Sequence, residues 1–253
     1  MLRSINHLVG FTIGATDGDI GKVEEFYFDD TTWTVRYMIV KTGGWLTVRE
    51  VLISPEAILV PDWESKIIPV NLTRSQVKNS PDIDTDKPIS RQEEERLFTY
   101  YPWQSYYNAG LYGDGIGMME TFPLIPFPNE NTGGEGEMKK EPEIKTHLRS
   151  TQEVHGYYIH AMDGEIGQVS DFILNEETWE ITFIVVKTGN FFSHDKVLIS
   201  PLWIQEVKWN TQEVVIKVSA EAVKNSPHYD SSRPVEIDYS KDLHNYYGFP
   251  SKV

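Results

Sequence analysis

Residues 17–43 read DGDIGKVEEFYFDDTTWTVRYMIVKTG, and residues 163–189 read DGEIGQVSDFILNEETWEITFIVVKTG. The second stretch repeats the first at a constant offset of 146 residues. The register holds without a gap from Leu2-Arg3-Ser4 and Leu148-Arg149-Ser150 to Tyr100-Tyr101 and Tyr246-Tyr247. Val51-Leu52-Ile53-Ser54-Pro55 returns as Val197 to Pro201, and Val77-Lys78-Asn79-Ser80-Pro81 returns as Val223 to Pro227. Roughly a third of the aligned positions are identical, which is the mark of an internal duplication. The period is too long for a solenoid, so each copy is expected to carry a core of its own.

Within one copy the strand signals are dense. Asp17-Gly18 and Asp163-Gly164 stand between β-prone runs and predict hairpins with type I′ turns, in which both central residues take positive φ. Val23 and Phe26 are three apart, as are Val169 and Phe172. Simple alternation would send each pair to opposite faces, so a bulge is predicted at Glu24-Glu25 and at Ser170-Asp171. Trp33 to Val40 and Trp179 to Val186 read as long strands covered on both faces, because Tyr37, Met38, Ile39 and Val40 are all apolar. Val51 to Ile53 is a short buried strand. Ile68, Val70 and Leu72 alternate, and Pro69 places this run at a sheet edge, since proline has no N–H for the ladder.

Helices close each copy. Thr73 with Gln76, and Ser90 with Glu93, have the spacing of capping boxes for a short helix starting at Thr73 and a second spanning Arg91 to Phe98. The counterpart around Tyr239 to Tyr247 carries a weaker start signal. Between the copies, Gln104 to Thr146 is rich in Gly and Pro and has an acidic finish, the composition of a flexible linker, which limited proteolysis would cut first between Gly110 and Lys145. Its stretch Met118 to Phe127 is apolar enough to dock on a barrel or to bind. The fold class expected is mainly β: two tandem small barrels, each followed by one or two short helices. The domains are 1–103, a linker at 104–146, and 147–253.

The chain of 253 residues carries a formal charge of −15 and no cysteine. The charge opposes binding to phosphate backbones or anionic lipid. The lack of cysteine excludes disulfides, thiolate catalysis and Cys-ligated zinc. Arg3, Ser4, Asn6 and His7 interrupt the first residues, so no secretory leader is read, and no apolar run approaches the ~18 residues of a membrane span. The expectation is a cytoplasmic protein with no transmembrane segment and no nucleic-acid partner.

The residues that could carry chemistry read as structural. Asp17-Gly18-Asp19 and Asp163-Gly164-Glu165 lack the further ligands of a calcium loop and read as turns. His155, His160, His194 and Asp195 could gather around a metal, but the first copy has Val9, Gly14, Val48 and Arg49 there, so surface histidines are the preferred reading. No phosphate loop, nucleophile elbow or dinucleotide fingerprint is present. No catalytic, metal or cofactor residue is assigned. After Lys-Thr-Gly the copies carry Trp45-Leu46 and Phe191-Phe192. Such a pair closes a barrel end or forms an exposed contact patch; closure is favoured.

The pattern Leu-Arg-Ser, Gly, Asp-Gly-x-Ile-Gly, Trp, Lys-Thr-Gly, Val-Leu-Ile-Ser-Pro resembles the PRC-barrel family in both halves. That family is named from the cytoplasmic domain of the H polypeptide of photosynthetic reaction centres. It also includes the barrel of a bacterial 16S rRNA-processing ribosome maturation factor. The Val-Lys-Asn-Ser-Pro and Tyr-Tyr elements resemble stand-alone bacterial members. The resemblance implies a non-enzymatic interaction or assembly module that binds protein partners or itself. The alternatives it implies are an accessory factor of a photosynthetic or other membrane electron-transfer complex, and an RNA-processing or ribosome-associated factor. This chain is expected to lack both the membrane anchor of the one relative and the separate N-terminal domain of the other.

Overall fold

The computed structural model describes residues 1–43, 48–83, 89–101, 103, 147–188 and 196–249. The first half contributes β1 (Leu2–Ser4), β2 (Thr12–Ala15), β3 (Gly18–Asp29), β4 (Thr34–Thr42), β5 (Glu50–Ile53) and β6 (Ile67–Pro69). Helices α1 (Arg74–Lys78) and α2 (Arg91–Tyr100) follow. The second half contributes β7 (Leu148–Ser150), α3 (Thr151–Val154), β8 (Tyr158–Ala161), β9 (Gly164–Asn175), β10 (Ile181–Thr188), β11 (Lys196–Ile199), β12 (Ile204–Lys208) and β13 (Glu213–Ile216). It ends with α4 (Ala220–Lys224) and α5 (Ile237–Tyr247). The strands form two sheets, ordered β5-β4-β3-β2-β6 and β11-β10-β9-β8-β13-β12.

The two remaining strands change places. β1 of the first half pairs with β9 of the second, and β7 of the second pairs with β3 of the first. The registers are equivalent: Ser4 faces Ile173 and Ser150 faces Tyr27. The opening for this exchange comes from strand length. β3 is 12 residues long and β2 only 4, so Tyr27 to Asp29 outrun their neighbour and leave an unpaired edge. An open edge is a template for another strand, and the first strand of the opposite half fills it.

The halves meet about a pseudo-twofold axis. Thr34 bridges Glu180, its own counterpart, antiparallel. Val35 N–H donates to Trp179 O at 2.8 Å and Ile181 N–H to Trp33 O at 2.7 Å. Phe28 and Phe172 contact each other across the joint with ring centres 5.8 Å apart, and Phe26 lies 6.3 Å from Trp179. Phe26, Phe28 and Phe172 are buried, and the apolar cluster runs without a break through both halves. The expectation of one core per copy is therefore corrected: burying the exchanged strands fuses the two cores.

The bulges stand where the spacing of apolar residues placed them. Val23 pairs with Val40 and Glu25 with Ile39, leaving Glu24 as the extra residue; Ser170 is its counterpart. Both capping boxes are formed. Gln76 N–H donates to Thr73 Oγ1 and Thr73 N–H to Gln76 Oε1, and the same reciprocal pair joins Ser90 and Glu93. The N-cap of α5, Glu236, makes no side-chain cap bond, and its C-cap is Gly248, whose φ is +72°. Pro69 lies on the edge strand of the first sheet. Its counterpart Val215 sits in β13, which is paired on both sides, and this accounts for the extra strand of the second sheet.

The hairpin turns differ from the Asp-Gly reading. Ala15 pairs with Gly18, so Thr16 and Asp17 are the central residues, and neither has positive φ. Ala161 pairs with Gly164 around Met162 and Asp163. A type I′ turn is thereby excluded. Gly18, with φ +130°, is a position where a side chain would be strained; Gly164 is outside the left-handed region. The aspartates have another role. The Asp17 carboxylate accepts the N–H of Arg74 at 2.7 Å, and that of Asp163 accepts the N–H of Ala220 at 2.6 Å. Each thus satisfies an orphan donor at the first turn of the short helix in its own half and pins the hairpin tip there. Trp33 and Trp179 likewise stand in the β3–β4 and β9–β10 turns, not in strands, with φ of +56° and +57°.

Candidate functional site

Leu-Arg-Ser, the first repeated triplet, builds the joint. Arg3 Nε donates to Glu176 Oε1 at 2.8 Å while its guanidinium lies 4.2 Å from the centre of the Trp63 ring. Arg149 Nε donates to Asp30 Oδ2 at 3.0 Å and covers Trp209 at 4.0 Å. Each arginine is thus held by a carboxylate of the opposite half and an aromatic face of its own. Partial burial makes such a charge-assisted pair worth more than a fully solvated one. The serines repeat the device: Ser4 Oγ donates to Asp171 Oδ2 at 2.5 Å, and Ser150 Oγ donates to Glu25 Oε2.

Glu25 and Asp171 are counterparts and border one groove of about 320 Å³ at the joint. Asn6 and Gln152, and Val9 and His155, are further counterpart pairs in its wall. Burial raises the carboxyl of Glu25 above its ordinary value against the lowering bond from Ser150, and the charges of Glu50 and Glu24 add to the rise. Burial also raises Asp171, against bonds from Ser4, the Phe172 and Asn6 amides, and the charge of His7. A carboxyl raised on folding takes up protons as the chain folds. Its stabilising contribution is full below the unfolded value and fades as pH rises through the folded value. Wild type should therefore lose urea resistance relative to Glu25→Gln/Asp171→Asn as pH rises above the ordinary carboxylate range. A difference that moved the other way would contradict burial as the dominant cause.

The residues singled out in the sequence fall in different places. Asp17, Gly18, Asp163 and Gly164 lie at the hairpin tips beside α1 and α4. Trp45, Leu46, Phe191 and Phe192 lie outside the described residues, as do His194, Asp195 and the segment 104–146. His155 lines the groove, whereas His160 faces Glu213 at 3.8 Å on β8, so the two do not converge. Among the described residues no group of three His, Cys, Asp or Glu could hold a metal ion, and no helix is long and apolar enough to cross a membrane.

The chain that flanks the first aromatic pair is fixed on both sides. Thr42 N–H donates to Arg49 O at 2.9 Å and Arg49 N–H returns to Thr42 Oγ1 at 3.1 Å. The Arg49 guanidinium donates to Val77 O, Lys78 O and Ser80 Oγ at 2.8–3.0 Å, at the end of α1. Thr42 and Arg49 thus form a locked base, and Val48 beside it is 62% exposed.

One buried acid away from the joint is tied to the sheet. Glu94 on α2 is wholly buried and accepts the Tyr37 hydroxyl at 3.1 Å. Their counterparts are Ser240 and Phe183, and there Trp203 packs against Phe183 and His244 instead. The second half has an aromatic contact between sheet and helix where the first has a polar one.

The joint residues were not recognised in the sequence as a site. The available signal was that Arg3-Ser4 and Arg149-Ser150 are repeated together with the acids Glu25/Asp171 and Asp30/Glu176.

Two similar β-folds of this strand order, each donating its first strand to the other, define a fused pair of small barrels. The PRC-barrel domain profile matches residues 2–77 and 155–223, more than half of the chain, and the chain belongs to the PRC-barrel family. No curated protein matches it.

Proposed function

We propose that this chain is a non-enzymatic interaction module of the bacterial cytoplasm that holds protein partners through surfaces of its fused barrels. The observation that carries the reading is the strand exchange: each barrel already binds another barrel, through an edge and an apolar face. The aromatic pairs are the proposed contact for a different protein. Loops set on a rigid scaffold commonly carry function, and the first pair is flanked by a locked base and an exposed Val48. The commitment of Arg3, Arg49 and Arg149 to internal bonds, in a chain of charge −15, supports a protein partner over nucleic acid.

Trp45→Ser with Leu46→Ser tests this. As a contact patch, the pair should lose capture of the native partner from lysate by tenfold or more, about 1.4 kcal/mol, with the unfolding midpoint unchanged. A stability lowered by the several kcal/mol typical of lost burial would make these side chains barrel plugs instead. Tight, salt-sensitive RNA binding by the wild type would overturn the reading.

A further inference from the structure

We infer that the joint between the halves is also an interface between copies of this chain, so that two molecules exchange halves to form a closed dimer. The partner is a second copy, and the surface is the β1–β9 and β7–β3 joint; the aromatic pairs take no part in it.

The two sides of the joint are equivalent. The polar contacts named at the joint occur twice: Arg3–Glu176 with Arg149–Asp30, Ser4–Asp171 with Ser150–Glu25, and the paired amides on either side of Thr34–Glu180. Each contact crosses from one half to the other. None of them depends on which chain supplies the opposite half. A dimer built from half one of one molecule and half two of another keeps all of them, twice over. Exchange of identical elements is a low-cost route to a dimer, because the closed and exchanged forms differ in connection and not in contacts. Linked modules see each other at an effective concentration on the order of 1 mM. The closed monomer is thus favoured in dilute solution and the exchanged dimer in concentrated solution. Opening the joint breaks strand pairing and a shared core, so exchange is slow once the chain has folded.

A charge-complementation experiment on full-length chains tests this. One variant carries Arg3→Glu and the other Glu176→Arg, so each sets like charges against each other within its own monomer. In a half-exchanged mixed dimer, Glu at position 3 meets Arg at position 176, and the second joint is the native Arg3–Glu176 pair. The two variants, differently tagged, are unfolded and refolded together at about 1 mM, then sized by chromatography with light scattering. The expected result is a mixed dimer exceeding either self-paired dimer several-fold. Arg3→Glu/Glu176→Arg in one chain, which restores opposite charges internally, should return the oligomer distribution to that of wild type. Monomers alone after refolding, with wild type included, would overturn the inference. So would dimers formed equally in all pairings. The outcome also separates this inference from the aromatic-contact proposal. The dimer should survive Trp45→Ser/Leu46→Ser, whereas a dimer abolished by that change and indifferent to the charges belongs to the aromatic pairs.

Discussion

Replacing Gly21 or Gly167 with alanine is expected to destabilise the protein by about 3 kcal/mol, at the upper end of ordinary overpacking. A Cβ at Gly21 would lie 2.0 Å from the carbonyl oxygen of Lys41, and one at Gly167 would lie 2.0 Å from that of Lys187. Both oxygens are main chain in a paired strand, so no side chain can swing aside. The cause is a bend in the long strand. Ile13 pairs with Gly21 but Gly14 with Asp19, and this bulge turns β3 over β4; Ile159 and Gly167 repeat it. Glycine inside a strand marks such close approaches of backbone. Gly164→Ala is the control: an added Cβ there meets nothing within 4 Å, and the position is not left-handed. Urea unfolding of the three variants checks the expected order. Equal midpoints for Gly21→Ala and Gly164→Ala would show that β3 and β4 do not approach as described.

The second large effect is expected at Phe28. Phe28→Ala should lower stability by about 3–5 kcal/mol, the usual cost of deleting a buried phenylalanine ring. It should do so in both halves together. Phe28 lies in the first half but touches Phe172 of the second across the joint, and both are buried. Since a whole domain is stable by only about 5–15 kcal/mol, the loss is easily read. Native-state hydrogen exchange at Ile53 and Ile199, on the buried strands β5 and β11, reports the two halves separately. Protection should fall equally at both. A fall at Ile53 with Ile199 unchanged is the behaviour of two independent barrels.

The features legible in the sequence are those set by local chemistry. Thr73 with Gln76 and Ser90 with Glu93 form their capping boxes because a cap needs only four residues in succession. The bulge at Glu24 was legible because Val23 and Phe26 must both face the core. The features not legible depend on residues far apart. Asp17 looks like a turn residue, and only the fold brings it to the amide of Arg74. Trp33 looks like a strand residue, but it closes the β3–β4 turn, donating its N–H to Asp29 O at positive φ. The exchange itself is invisible to the pattern, for a definite reason. Leu2-Arg3-Ser4 and Leu148-Arg149-Ser150 are the same triplet, and the acids that receive them recur as Glu25/Asp171 and Asp30/Glu176. Each triplet therefore suits the strand of its own half as well as that of the other. Nothing local chooses between them; the lengths of β2 and β3 and the two-sided core do.

The central claim, that the halves are one unit joined about the axis through Thr34 and Glu180, has a direct test in a chain without cysteine. Thr34 and Glu180 face each other as a pair flanked by the Val35–Trp179 and Ile181–Trp33 hydrogen bonds. In such an antiparallel pair the Cα atoms are about 4.5 Å apart with side chains on one face, within the range a disulfide spans. Full-length Thr34→Cys/Glu180→Cys, oxidised in dilute solution, should form this bond within the chain nearly completely. It should leave no free thiol, run as a compact monomer on a non-reducing gel, and unfold at higher urea than its reduced form. Thiols that stay free in the folded protein under the same oxidation would contradict the joint, and with it the account of two barrels built on each other's strands.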